Sequence, residues 1–240
     1  MACAVIRDMD ISRTGHPVLD ETWRHATAVA GLSATWTAFA DLAATTGPRG
    51  WDAPTRCERW AVRDVAAHVT GHAIDIARGR VPPGPPAEQA AAHRARTPRD
   101  MARALTDAAP PVLDLLRSAG DAWDDPRRRV RERTVAESAV ALWHDTLVHL
   151  DDIRDALGRP PVPAHDLLPC VAHLAHTLRR RPVPFAVDLP RLGIVRSDDD
   201  VPPKACSVHD FVLVATGRQD PSTIGAPPTI DVYASRPLLA

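Results

Sequence analysis

With 240 residues and 26.0 kDa the chain is long enough for one large domain or two small ones with a real core. A net charge of −1 and a pI near 6.8 argue against nucleic acid or an anionic membrane as partner, and no run of about 18 apolar residues predicts a membrane span. Cys3, Cys57, Cys170 and Cys206 are scattered without a CxxC, and the first ten residues lack a basic stretch followed by a long apolar one. Both features point to reduced thiols in a cytoplasm rather than a secreted disulfide scaffold.

The first element in chain order is a helix over His16 to Thr46, marked by Val18, Trp23, Val29, Leu32, Trp36, Phe39 and Leu42 at helical spacing and stopped by Gly47-Pro48. Trp51 to Trp60 reads as a loop whose tryptophans pack under the helices. A second helix runs from Val62 to Gly79. Residues Arg80 to Arg96, rich in Pro and Ala without periodicity, read as an exposed, mobile connection. Thr97 caps a third helix with Pro98 at its first position, and Pro110-Pro111 should break or kink it before Val112 to Ser118 continue. The fourth helix spans Thr134 to Leu157 and ends at Gly158. Beyond Pro163 the pattern changes. A helix over His165 to Arg180 precedes strands at Phe185–Leu189 and Leu192–Ser197, a short helix from Ser207 to Thr216 ended by Gly217, and a final strand over Thr229 to Ala234. The expected architecture is α+β: a four-helix bundle over residues 1–162, then a small α+β domain over residues 163–240.

Asp145 and His149 stand four residues apart in the fourth helix, so they share a face one turn apart, beside an apolar stripe of Val140, Leu142, Leu147, Leu150 and Ile153. A carboxylate and an imidazole close to a core need compensation, which a divalent metal supplies. His68 in the second helix is a third ligand candidate. Two histidines and one carboxylate leave a position open, as in catalytic rather than structural sites. The spacing alone equally describes a solvated face with the imidazole bonded to its neighbouring carboxylate, and His72, one turn after His68, is an alternative ligand. His144 points about 100° away from Asp145 and reads as a surface residue. Cys170, His173 and His176 fall on one side of a helix but lack an acidic partner, which favours packing. Ser207, His209 and Asp210 lie too close together on one element to converge as a triad. Arg218 follows a glycine, and its guanidinium could clamp a carboxylate or stand in solvent.

Three segments together resemble the mycothiol-dependent maleylpyruvate isomerase family, whose amino-terminal half is a DinB-like four-helix bundle. Trp51-Asp-Ala-Pro-Thr-Arg-Cys-Glu-Arg-Trp60-Ala-Val-Arg-Asp-Val-Ala-Ala-His68 is similar to that family's tryptophan-to-histidine motif. Asp145-Thr-Leu-Val-His149-Leu-Asp-Asp152, running on to Ala156-Leu-Gly158, is similar to its E-x-x-x-H-x-x-D segment. Cys206 to Gly217-Arg218 is like its carboxy-terminal segment. The resemblance implies that His68, Asp145 and His149 hold a zinc ion, with His68 preferred over His72 because it closes the first motif. It implies that Asp152 orients a ligand, and that Arg218 comes from the small domain to face the metal and bind substrate or cosubstrate. The family usually has glutamate where this chain has Asp145, which puts the reaction in question more than the metal.

The implied function is a cytoplasmic, metal- and mycothiol-dependent isomerase or S-transferase in an actinobacterial setting, a monomer or weak homo-oligomer. Its partners are a low-molecular-weight thiol and a small electrophilic substrate. Because no strong protein thiol is expected beside the site, an external thiol is the economical nucleophile. The alternatives are a zinc-water hydrolase and a non-enzymatic DinB-like metal-binding or regulatory protein.

Overall fold

Thr134 and Glu137 begin the helix that holds Asp145 and His149 by capping each other: the Glu137 amide donates to Thr134 Oγ1 at 3.2 Å and the Thr134 amide to Glu137 Oε2 at 2.8 Å. A computed structural model describes residues 16–129, 132–181, 183–197 and 200–234. Its helices are α1 (Pro17–Glu21), α2 (His25–Thr45), α3 (Pro48–Trp51), α4 (Val62–Ala77), α5 (Pro86–His93), α6 (Pro98–Arg117), α7 (Val135–Ala156), α8 (Leu168–Arg179) and α9 (Val208–Ala215). The strands are β1 (Ala186–Leu189), β2 (Gly193–Arg196) and β3 (Lys204–Ala205).

Helices α2, α6, α4 and α7 form the bundle, α2 and α4 each packing against both α6 and α7. Trp36, Phe39, Val65, Met101, Leu105, Val140 and Ile153 are all nearly or fully buried between them. Each such large side chain contributes roughly 1.5–3 kcal/mol of transfer free energy, so the interior faces of these helices hold the site rigidly. Helix α8 packs on α7 and carries α9 and β2 on its other sides. The sheet has the order β2-β1-β3, with β1 and β2 antiparallel (Ala186 opposite Arg196) and β3 parallel to β1. This is the expected α+β architecture. One apolar core runs from Leu19 through Leu167, Leu174 and Phe211 to Val232. None of the described helices is long and apolar enough to cross a membrane.

Four local expectations are corrected. The first helix is divided: Thr22 Oγ1 bonds back to the Leu19 carbonyl at 2.6 Å, and Trp23 turns inward against His176 of α8. Pro110 and Pro111 do not break α6. Both lie on its solvent face, where water has access to the carbonyls that a proline leaves without an amide donor. The connection after residue 80 is no loose strand of chain but contains α5, packed on α4. In place of the final strand, Pro228–Ile230 form a 3-10 turn. Pro227 and Pro228 lack ladder donors, and Ile230 and Val232 are buried one at a time.

Candidate metal centre

Helices α4 and α7 face each other at the level of His68 and His149, both buried. Asp145 Oδ2 lies 3.2 Å from His68 Nε2, and Asp145 Oδ1 lies 3.7 Å from His149 Nε2. One ligand atom from each of the three residues falls within 4.8 Å of the others. The Asp145 side chain is 26% exposed against 5% and 10% for the two imidazoles, so the opening to solvent is on the carboxylate side. His72 Nδ1 is farther from Asp145 Oδ2, at 3.7 Å.

The outer nitrogens decide what the inner ones can do. His149 Nδ1 stands 3.1 Å from Asp152 Oδ2. Burial works against ionisation of Asp152, but the bond to His149 and the Arg218 guanidinium hold its carboxyl far below the usual range. An ionised carboxylate only accepts, so His149 Nδ1 carries the proton and Nε2 presents a lone pair when the ring is neutral. His68 Nδ1 lies 2.8 Å from Gln89 Oε1, again an acceptor, so its Nε2 is likewise left as a lone pair in the neutral ring. Two lone pairs and a carboxylate then face one another, an arrangement that requires a cation among them: a proton on an imidazole or a metal ion. Two imidazoles and one carboxylate, with each outer N–H anchored, fit zinc well. Burial opposes ionisation of Asp145 too, yet a proton on His68 or His149 holds its carboxyl well below the ordinary carboxylate range, and a metal ion in the proton's place would do the same, so it is available as a charged ligand.

Arg218 is brought to this region by α9. Gly217 has φ +71°, the left-handed turn that ends α9 and that a side chain would resist, and a Cβ there would meet Asp231 Oδ2 at 2.5 Å. The Arg218 side chain is 9% exposed rather than free in solvent. Its Nε donates to Asp152 at 2.8 and 3.0 Å, its Nη2 to Asp152 Oδ2 at 2.7 Å and its Nη1 to the Thr216 carbonyl at 3.1 Å. The link from Arg218 to His149 therefore runs through Asp152. The adjacent Asp151 accepts from Arg56 Nη2 at 2.6 Å and the Val162 amide at 2.8 Å, and lies 2.8 Å from His209 Nε2. The segments on both sides of residue 163 thus converge on two consecutive aspartates.

A protein thiol lies beside the centre, but it is not a strong one, in keeping with the expectation. Cys57 Sγ donates to Asp152 Oδ2 at 3.1 Å, accepts from Arg218 Nη2 at 3.4 Å and lies 3.7 Å from His149 Nδ1. Burial first, then the Asp152 charge, push its pKa up to about 12, so it is a neutral donor rather than a ready nucleophile. Cys57, His149 and Asp152 also cluster closely enough to suggest a ligand set. The proton on His149 Nδ1, the saturated Asp152 and the Arg218 cation make that corner a poor one for a metal. Loop position hid Cys57 from periodicity, although it is part of the tryptophan-to-histidine motif.

The remaining histidines divide. His144 is 1% exposed and stacks on His173 at 4.6 Å, so the surface expectation for it is wrong: α8 covers that face of α7. Cys170 and His173 are buried, as packing predicts, but the trio does not lack an acidic partner: His176 lies 3.1 Å from Glu137 Oε1, which draws it away from the other two. Ser207 caps α9 and His209 bonds Asp151, which separates them chemically. A surface cleft of about 500 Å³, with Arg78, Arg96 and Arg103 among Asp100 and Asp107, shares no residue with the centre. A smaller one of about 350 Å³ is lined by Gly217, Arg218 and Asp231.

The model of the mycothiol maleylpyruvate isomerase N-terminal domain matches residues 32–154. Two crystal structures share the fold: the mycothiol-dependent maleylpyruvate isomerase, at TM-score 0.63 and 16% identity, and a variant of it with a histidine changed to alanine, at 0.62 and 14%. Each match covers 85% of this chain and 95% of the other. No curated protein sequence matches the chain.

Proposed function

The chain belongs to the mycothiol maleylpyruvate isomerase family, and from that premise we propose a metal- and mycothiol-dependent enzyme that acts on a small electrophile as isomerase or S-transferase. The observation that carries this reading is the convergence of His68 Nε2, Asp145 and His149 Nε2 with both outer imidazole nitrogens anchored. These three residues are the proposed ligands of a divalent ion, zinc by their chemistry. When bound, zinc supplies a Lewis-acid position that favours a thiolate over a thiol at neutral pH.

The chain's own groups do the rest. Asp152 keeps the proton on His149 Nδ1 and so keeps Nε2 a donor of its lone pair. Trp60, with its ring 5.5 Å from that of His68 and 6.4 Å from that of His149, walls the imidazoles from water. Arg218 is a positioning residue for Asp152, and its remaining Nη1 N–H is what it offers a substrate carboxylate or a developing enolate. Residues 1–162 supply the ligands and residues 163–240 supply Arg218. The thiol of the cosubstrate adds to an electrophilic carbon. In an isomerase the adduct rotates about the former double bond and expels the thiolate, whereas in a transferase the carbon–sulfur bond persists. Free Cys57, Cys170 and Cys206 support a reducing, cytoplasmic setting.

Elemental analysis of protein purified without chelator, followed by mass spectrometry of incubations with mycothiol and unsaturated acids, tests this. One divalent ion per chain and a mycothiol-dependent product are expected. Metal without any thiol dependence overturns the thiol reading in favour of hydrolysis, and absence of metal overturns the enzyme reading altogether.

A further inference from the structure

The segment between α4 and α6 reaches the centre through one side chain. Gln89 of α5 is 4% exposed and touches His68 Nδ1 with its Oε1 at 2.8 Å, while its Nε2 donates to Asp75 Oδ2 at 3.0 Å. Asp75 is itself buried and further accepts from the Gly84 amide at 2.9 Å and pairs with Arg80 at 3.1 Å. Those donors keep Asp75 ionised although burial opposes it. A carboxylate can only accept, so Gln89 must turn its NH2 group toward Asp75 and its oxygen toward His68. The orientation of this amide is therefore dictated from outside the centre.

Helix α5 comes this close because of Gly71, which sits on α4 between His68 and His72. A Cβ on residue 71 would lie 2.8 Å from Gln89 Cβ and 2.9 Å from His93 Cδ2, so only glycine admits the approach. Arg94, just past α5, pairs with Asp64 at 3.0 Å, and Asp64 accepts the Ala61 amide at the start of α4. Both ends of α5 are thereby tied to the helix that carries His68.

We infer that Gln89, held by Asp75, is the positioning residue that fixes which nitrogen His68 presents to the centre, so that the Arg80–Arg96 segment sets metal affinity. This rests on the reading of His68 as a ligand. The relay Asp75–Gln89–His68 keeps a proton on Nδ1 and leaves Nε2 for the metal, as Asp152 does for His149.

Two substitutions separate this role from packing. Gln89→Met keeps the shape and removes the acceptor. Gln89→Glu restores an acceptor for His68 while placing a second carboxylate beside Asp75. The zinc-loaded proteins are compared by chelator competition and by nitrogen-15 and proton NMR of the imidazoles, with thermal unfolding to verify folding. Gln89→Met is expected to weaken zinc binding about 10- to 100-fold and to expose the His68 Nδ1 proton to solvent exchange, with the His149 signals unmoved. Gln89→Glu should keep the protected Nδ1 proton and bind zinc more tightly than Gln89→Met, although packing alone would rank them the other way. Affinity within about threefold of the parent in Gln89→Met, or a larger loss in Gln89→Glu, overturns the inference. His68→Ala is the control: if it binds zinc undiminished, the ligand assignment fails; if it loses zinc while Gln89→Met does not, only the relay fails.

Discussion

Helix α7 carries two histidine clusters on neighbouring faces, and they are built on opposite terms. Around His149 an ionised carboxylate, open to solvent on one side, faces two imidazole nitrogens whose partners on the far side are fixed. Around His144 the rings of His144 and His173 stack at 4.6 Å, His144 Nε2 meets the Tyr233 hydroxyl at 3.0 Å, and Nδ1 of each ring is buried without a hydrogen-bond partner. Burial takes His144 down to about 3 and His173 well below the ordinary value of 6.5, so both are neutral packing groups. Buried histidines by themselves do not make a centre. An anion, an opening and anchored outer nitrogens are what set the candidate centre apart.

The strongest break of this contrast is loss of metal from one cluster only. His149→Ala should weaken metal binding on the order of 10³-fold, about a third of the roughly 10–16 kcal/mol typical of zinc sites, while His173→Leu keeps full occupancy by elemental analysis. Equal retention in both would erase the distinction. Next in size is the carboxylate that anchors the first cluster. Arg218→Met leaves Asp152, which has no exposed side-chain surface, without its main cation, and urea unfolding at fixed metal saturation should show a loss of about 3 kcal/mol.

A smaller effect sharpens the second cluster. A histidine buried neutral has a folded pKa below its unfolded one, so under pH 6.5 the unfolded chain binds more protons and stability falls as pH falls. Each such group contributes up to about 1.4 kcal/mol per pH unit between its unfolded and folded values. His173→Leu should flatten the stability profile by about that slope between pH 6 and 5, and an unchanged slope would show that His173 is not held neutral. Smallest is a change common to both clusters. Thr134→Ala removes the cap of α7 and should cost about 1 kcal/mol in urea unfolding, with metal content unaltered.

Much of this was legible in the sequence, and the misses share a cause. Helical spacing located α4, α6, α7 and α9, and the Thr97 cap fixed the start of α6; Thr134 and Ser207, read only as helix limits, prove to be the caps of α7 and α9. The Asp145–His149 spacing and the motif ending at His68 named residues that the fold brings together. Helix α5 lacked an apolar stripe, because what orders it is the space left by Gly71 and the anchoring of Gln89, contacts that exist only once α4 has folded. A local signal was present in Pro86 at its first position and Glu88 in its first turn. The direction of His144 relative to Asp145 says nothing of α8, which covers it from a segment some thirty positions on. Cys57 sits in a loop, where no periodicity reports burial.

Asp151 and Asp152 have a consequence for how this gene can be cut and rejoined. Their partners come from two distant stretches of chain: Arg56 ahead of α4, and α9 with its end, which bring His209 and Arg218. A bundle ended after residue 162 would keep two buried anions with a single arginine between them, and a tail borrowed from another protein would have to bring a cation to each. The proline-rich linker looks like the seam in the chain, but the seam in energy runs along the last turns of α7.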